Sequence, residues 1–476
     1  MTECNEISLR FQPHGRREIV AEFKGEMITS DAGVLLLREA DQRLGLISKF
    51  AACFDDFRNP DQTDHPLEQL LAQRTFGIAL GYEDLNDHDK LRHDPLLALA
   101  CGCQDPAAFG TGDGRRTLAG RNTLNRLELT PSGATETSRY KKIVHHSSKI
   151  EAFFVDMFLQ MHPEPPEEIV LDIDATDNPL HGHQPGRFFH GYYGNHCYLP
   201  LYIFSGDHLL CARLRPSDID ASLGTVKQLN RIVTAIRSQW SDVRIIVRGD
   251  SGFCRESIMQ WCEDNDIDFV LGLAKNERLK EILESELKQA EEQFQSTGKA
   301  SRVYKDFEYQ TLTSWSRSRR VIGKAEHLSK GSNPRFVVTS LTAEKADAAT
   351  LYEQRYCARG EMENRIKEQQ LFLFANRTSC HTMRANQLRL WMSAVAYVLL
   401  NAVRQYGLKD TELKEAQCDT IRLKLLKIGA RVRVSLRRVC LSLSAAYPWK
   451  HVLSQVLRNL QHNLPAVPAV SRPLRT

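Results

Sequence analysis

No segment of this 476-residue chain is apolar for long enough to cross a bilayer. The longest uncharged apolar run, Leu390 to Val403, spans 14 residues and still carries Ser393 and Asn401, whereas a spanning helix needs about 20. The run reads as a buried core helix, and no membrane partner is expected. The 12 cysteines include no Cys-x-x-Cys pair and no zinc-finger spacing, and the polar start Met1-Thr2-Glu3-Cys4-Asn5-Glu6 has no signal-peptide character. A reduced, cytoplasmic protein is the expectation. Neither sign of charge dominates, since 63 basic and 59 acidic residues leave only +4. That is too little to argue for nucleic acid, so any such argument rests on local distribution. Internal repeats and low-complexity tracts are also missing, which sets repeat arrays aside.

What is there is an ordinary globular composition, 42% hydrophobic and 26% charged, able to bury real cores. Its length suggests about three domains, at roughly 100–200 residues each. Two apolar runs end on an acid. Asp174 closes Ile169-Val170-Leu171-Asp172-Ile173-Asp174, and Asp250 closes Val243-Arg244-Ile245-Ile246-Val247-Arg248-Gly249-Asp250, so both are predicted at strand ends. A third acid, Glu363, lies in Tyr356-Cys357-Ala358-Arg359-Gly360-Glu361-Met362-Glu363-Asn364-Arg365-Ile366-Lys367. There Tyr356, Arg359, Glu363 and Lys367 share one helical face.

Such a set suits phosphodiester chemistry. Two divalent ions roughly 3.5–4 Å apart stabilise charge on the attacking and leaving oxygens, and hard ions such as Mg²⁺, with Mn²⁺ as a substitute, take carboxylate oxygen. Asp174, Asp250 and Glu363 are thus the candidate catalytic and metal-holding residues. Asp172 points to the same face as Asp174 two residues earlier, and spacing leaves both open.

From about residue 167 the pattern reads as a strand, two further strands at Tyr198 to Phe204 and Leu209 to Leu214, and a helix over Val226 to Trp240. A fourth strand ends at Asp250, a helix covers Glu256 to Asp264, and Asp268 to Leu273 is a fifth strand. Three strands, helix, strand, helix, strand is the ribonuclease-H order. A polar helix over Glu277 to Gln295 follows, then alternating segments at Arg302 to Trp315, Arg319 to Ile322 and Pro334 to Thr339, read as a β-rich insertion. The expected fold is α/β: a ribonuclease-H-like catalytic core with a β-rich insertion, preceded by a mostly helical N-terminal domain. Expected boundaries are 1–148 for that domain, 149–283 and 346–408 for the two parts of the core, 284–345 for the insertion and 409–476 for a basic C-terminal region.

Asp174-Ala175-Thr176, Arg248-Gly249-Asp250-Ser251-Gly252-Phe253 and Tyr356-x-x-Arg359-x-x-x-Glu363 resemble the three signatures of the DDE transposases of bacterial insertion sequences, in the branch with a Tyr-x-x-Arg-x-x-x-Glu motif. The chain most resembles the insertion sequence 1380 group. The likeness extends to Arg121-Asn122-Thr123-Leu124-Asn125-Arg126, His181-Gly182, Gly191-Tyr192-Tyr193-Gly194-Asn195 and Ala385-Asn386-Gln387-Leu388-Arg389. One departure is Gln370, where the related branch carries Lys; Lys367 is the nearest residue for that role. The resemblance implies a transposase that binds the inverted repeats of its element, cleaves at the ends and joins the 3′ hydroxyls to target DNA, as a homodimer in the synaptic complex. It favours Asp174 over Asp172.

Phosphate contacts beside the scissile bond are expected from Arg359 and Lys367, and a stacking or hydrogen-bonding contact to DNA from Tyr356. Two basic segments are the other DNA candidates: the region with Arg115, Arg116, Arg121 and Arg126, after a turn-rich stretch from Asp105 to Gly114, and the segment Ile421 to Arg438. In the latter Arg431, Arg433 and Arg437 alternate with Val432, Val434 and Leu436, so a strand would have one basic and one apolar face. Two of these sets have a plainer reading: a solvated basic helix at Arg121 and Arg126, and, for Tyr356, Arg359 and Lys367, a solvated face in which Glu363 pairs with Lys367 one turn away. His181, His183, His190, His196 and Cys197 form the densest set of zinc-type donors, without regular ligand spacing. Trp261, Trp315 and Trp391 read as packing residues, with Trp315, if exposed, able to stack on a base. A structure-selective nuclease and a non-catalytic DNA-binding repressor are the alternative functions.

Overall fold

The computed structural model describes residues 8–14, 16–22, 26–103, 116–435 and 437–465. The opening hexapeptide, the stretch Asp105 to Gly114, Arg115 and Leu436 lie outside the described residues. The protein is mixed α/β and divides into two compact units, one of residues 1–43, 59–125 and 402–464, the other of 44–58, 126–401 and 465–476.

The second unit is built on a mixed sheet, nine-stranded among the described residues. Its strands are β1 (Glu168–Ala175), β2 (Leu201–Ser205), β3 (His208–Arg213), β4 (Arg244–Gly249), β5 (Asp268–Leu273), β6 (Ser301–Tyr309), β7 (Arg319–Leu328) and β8 (Arg335–Thr339). They are ordered β3-β2-β1-β4-β5-β8-β7-β6, with Gly331–Ser332 paired to β7. Strands β1, β4 and β5 run parallel. The remaining pairings are antiparallel.

Parallel strands covered on both faces are near-continuously apolar, which is why β1 and β4 show runs rather than alternation. Ile169, Leu171, Ile173, Ile245, Val247, Phe269 and Leu271 pack on one face against Leu229, Ile232, Val233 and Ile236 of α1 (Thr225–Gln239) and Ile258, Met259 and Cys262 of α2 (Glu256–Asp264). The spacing in α1 presents one apolar stripe to the sheet, and each fully buried side chain of this size contributes roughly 1.5–3 kcal/mol. The intervening Ile246 and Val270 join a second core with Val337, Leu351 and Tyr352. Residue parity therefore puts Asp172 and Asp174 on this second face.

Some expected elements differ in extent. The strand expected over Tyr198 to Phe204 is split into Asn195–Tyr198 and β2, because Pro200 has no N–H for a ladder. The helix expected over Glu277 to Gln295 is two, Glu277–Ile282 and Glu284–Thr297. The strands expected as an insertion continue the central sheet, β8 pairing with β5 from Val270 opposite Thr339 to Leu273 opposite Phe336. Residues 390–403 are buried, mostly in the helix Met383–Ala402. Among the described residues no helix is long and apolar enough to cross a membrane.

The first unit joins chain segments far apart in sequence. Its helices include Val34–Leu44, Leu67–Ala79 and Lys450–Asn463, and Ala430–Val434 pairs with both Val439–Leu443 and Ile28–Thr29. Gly33 allows this closure: a Cβ there would lie 1.9 Å from the Leu425 carbonyl oxygen. Lys427 reaches Asp31 at 2.7 Å and Tyr82 donates to the same carboxylate at 2.7 Å.

Candidate active site

Strands β1 and β4 are paired with Ile173 opposite Gly249, so Asp174, the last residue but one of β1 and still opposite Tyr202 of β2, sits beside Asp250, the first residue past β4. Asp250 caps the short turn Ser251–Phe253, accepting from the Gly252 N–H at 2.8 Å. Glu363 comes from a helical run of uneven pitch: wide turns over Leu351–Tyr356, a tight turn at Cys357–Arg359, the helix α3 (Gly360–Lys367) and a second wide turn over Glu368–Phe372. Wide turns inside helices are common at functional sites. Asp174, Asp250, Arg359, Glu363 and Lys367 all line one cleft of about 590 Å³, together with His190, Tyr192, Tyr193 and Gln370.

A single guanidinium links two of the acids. Arg359 Nη2 donates to Glu363 Oε1 at 2.7 Å, and Nη1 lies 3.3 Å from Asp174 Oδ2. Asp174 Oδ1 accepts from the Ala175 N–H at 2.8 Å. Burial pushes the Asp174 carboxyl up to about 7; Arg359 pulls the other way, and the Asp250 and Glu363 carboxylates add to the rise. Burial also works against the Arg359 charge, but Asp174 and Glu363 raise its pKa overall. Among the described residues no three His, Cys, Asp or Glu side chains converge as a ready-made metal cage. The donor chemistry nonetheless fits hard divalent cations, since three carboxylates face one cleft and the Arg359 guanidinium bridges two of them.

Asp172, which spacing alone left open, is otherwise engaged. Its two oxygens take a forked pair from Arg248, Nε to Oδ1 at 2.5 Å and Nη2 to Oδ2 at 2.7 Å. Arg248, opposite it on β4, also donates to the Arg355 carbonyl.

Tyr356 stands beside the cleft residues. Burial raises its hydroxyl pKa, with Arg359 opposing and Asp250 adding. Its approach depends on Gly272 of β5, where a Cβ would lie 2.5 Å from the Tyr356 hydroxyl and 3.0 Å from the Ser251 nitrogen. The pairing of Glu363 with Lys367 is replaced by the pair with Arg359. Lys367 is exposed on the cleft, and Gln370 donates to the Asp177 carbonyl at 3.0 Å and to Asn178 Oδ1 at 3.1 Å.

The zinc-type donors are dispersed onto other partners. His183 faces Arg187, the His190 ring packs on Tyr193 at 4.9 Å and the His196 ring on Phe189 at 5.5 Å. Trp315 is buried against Tyr309 and Arg319 rather than exposed. Tyr193 was not singled out from sequence, yet it donates to the Ala175 carbonyl at 3.2 Å, one residue beyond Asp174.

The other basic candidates lie away from these acids in sequence and carry partners of their own. Arg121 pairs with Asp89 at 3.3 Å and donates to Asn86 at 3.0 Å, while the Arg126 guanidinium lies 5.0 Å from the Tyr140 ring centre. Arg431 and Arg433 are exposed over a buried Val432, as alternation predicts. Both engage Glu26, at 2.9 and 2.8 Å, so this row is less positive than the sequence suggests. Arg437 is exposed, whereas Arg422 donates inward to the Ala79 carbonyl at 2.8 Å.

A family model described as transposase DDE domain group 1 matches residues 11–465, a span that includes all three acids. No curated protein matches the chain.

Proposed function

The chain belongs to the transposase DDE domain group 1 family, which makes it an enzyme acting on DNA, and we propose that it is the transposase of a bacterial insertion sequence in the Tyr-x-x-Arg-x-x-x-Glu branch. In this reading it binds the inverted repeats of its own element, cleaves at the ends and joins the 3′ hydroxyls to target DNA, as a homodimer holding two ends. The observation that carries it is the shared cleft in which Arg359 links Asp174 to Glu363 while Asp250 leaves the adjacent strand. The order β3-β2-β1-β4-β5, with β2 antiparallel to its neighbours, supports a ribonuclease-H-like core.

Asp174, Asp250 and Glu363 would hold Mg²⁺ or Mn²⁺, which when bound supplies charge stabilisation for the attacking and leaving oxygens. The chain's own groups do the positioning. Arg359 and Lys367 offer donors to the phosphates next to the scissile bond, Arg359 through its planar fork. Tyr356, wedged against Gly272, keeps the Arg359 side of the helix at a fixed height over the Asp250 turn. Substitution of Gly272 by Ala is therefore expected to push Tyr356 and Ser251 apart and slow cleavage by roughly tenfold to a hundredfold, with about 1–3 kcal/mol lost from stability. Cleavage kinetics beside urea unfolding check this, and an unchanged rate rejects the wedge.

The exposed strand with Arg431 and Arg433 is proposed to follow the DNA backbone, Arg437 extending the row and Arg121 and Arg126 acting at a second contact. Phosphate contacts of this kind release counterions, so each lost one lowers the slope of log affinity against log salt by nearly one. Because Glu26 already neutralises part of the row, the double substitution Arg431→Ala, Arg433→Ala is expected to lower the slope by less than two, equally for end and random DNA. An unchanged slope removes this strand from the interface.

The overall reading is tested with a donor plasmid carrying the inverted repeats that flank the gene, a target plasmid and Mg²⁺. Joined donor-target products are expected. Cleavage without joining indicates a structure-selective nuclease, and binding without cleavage a repressor.

A further inference from the structure

The aromatic residue most exposed among the described residues stands on the rim of the catalytic cleft. Tyr192 is 87% exposed and lines the same cleft as Asp174, Asp250 and Glu363. Leaving a large ring in water gains nothing for folding. Its placement is nevertheless tightly fixed. The turn Gly191 to Gly194 is closed by the Gly194 N–H donating to the His190 carbonyl at 2.8 Å, with Gly194 at a φ of 67°. Inside that turn Tyr193 is pinned by its hydroxyl to the Ala175 carbonyl and by the His190 ring. The Tyr192 ring meets Tyr193 edge-on, 5.0 Å between centres at 88°. A short series of contacts thus ties an open aromatic face to the residue next to Asp174.

Resting on the reading of this cleft as a DNA-cleaving site, we propose that Tyr192 stacks on an unpaired nucleobase next to the scissile phosphate and so holds the strand in register with the acids. The chemistry identifies the occupant. A planar, uncharged face beside carboxylates is matched by a base, because the phosphates on either side of it are drawn to Arg359 and Lys367 instead. Base-aromatic stacking is indifferent to sequence and needs only a ring. Trp315 is buried and has no face to offer a base.

The test is a cycle between protein and DNA, read as single-turnover cleavage of the element's own end by the full-length protein in Mg²⁺. Tyr192→Ala is expected to slow cleavage by about tenfold or more, whereas Tyr192→Phe and Tyr192→Trp, which keep a ring, stay near wild type. Abasic sites are then placed one at a time at the nucleotides flanking the cleavage position. At one of them wild type and Tyr192→Ala are expected to cleave at the same rate, since no base remains to stack. Loss of activity in Tyr192→Phe assigns the effect to the hydroxyl and overturns the proposal. So does a Tyr192→Ala protein that matches wild type on intact ends, or one whose defect persists at every abasic position. Wild-type protein that fails to cut element ends at all overturns the reading of the cleft instead, a distinguishable result.

Discussion

Asp174→Asn, Asp250→Asn and Glu363→Gln are each expected to reduce end cleavage by about three orders of magnitude while end binding persists. The substitution keeps size and removes one charged ligand, and charge stabilisation by the held cations is worth several kcal/mol of the barrier, or roughly a thousandfold. A paired measurement separates Asp174 from its neighbour. Burial favours the neutral form of Asp174, so Asp174→Asn should leave the thermal midpoint unchanged or slightly raised. Burial raises the Asp172 carboxyl as well, against the pull of Arg248, but there the amide would strand the buried Arg248 guanidinium. Losing one partner of such a pair costs about 3–5 kcal/mol, a fall of roughly ten degrees in a unit of this size. Scanning calorimetry beside single-turnover cleavage therefore gives opposite signatures for the two variants. A stable, inactive Asp172→Asn protein with an active Asp174→Asn counterpart would move the assignment to Asp172.

That ambiguity shows what the sequence could and could not reveal. Strand ends at Asp174 and Asp250 were legible because apolar runs of this length closed by an acid have few other local solutions, and at Asp250 the flanking Gly249 and Gly252 add a turn signal. The face shared by Arg359, Glu363 and Lys367 was legible too, and it survives a change of helical pitch because all three lie in or next to one regular stretch, α3. Choosing between Asp172 and Asp174 was not possible from spacing, since residues two apart on a strand share a face. What separates them is Arg248 standing opposite Asp172 on the neighbouring strand, a matter of register across 76 residues. Similarly, alternation announced the strands that became β6 to β8 but not that β8 pairs with β5 and so joins all three to the central sheet. Glu26 lies 407 residues from Arg433, and nothing local marks it as the counterion of that basic row. The cleft-side position of Tyr192 and Tyr193 was not legible, because a Gly-Tyr-Tyr-Gly turn says nothing of what it faces.

Arg359→Ala is expected to slow cleavage by about a hundredfold or more, the loss typical of removing one aligned donor from developing charge, with little change in end binding. Lys367→Ala should give a smaller loss, because Lys367 is exposed and its flexible ammonium is less well aimed. The geometry gives Arg359 two duties that these rates can separate. Without substrate, it offsets the mutual repulsion of Asp174 and Glu363. With substrate, the same fork reaches phosphate. If only the first duty mattered, Arg359→Lys would restore the charge and therefore the rate, whereas a bidentate phosphate contact depends on the planar fork and is not restored by an ammonium. Were both residues mere surface ion-pair groups, each would contribute no more than about 1 kcal/mol to stability and nothing to chemistry. Single-turnover cleavage on pre-bound ends decides: slow Arg359→Ala and Arg359→Lys proteins support the clamp, rescue by Lys reduces Arg359 to charge compensation, and wild-type rates in Arg359→Ala and Lys367→Ala dismiss both duties.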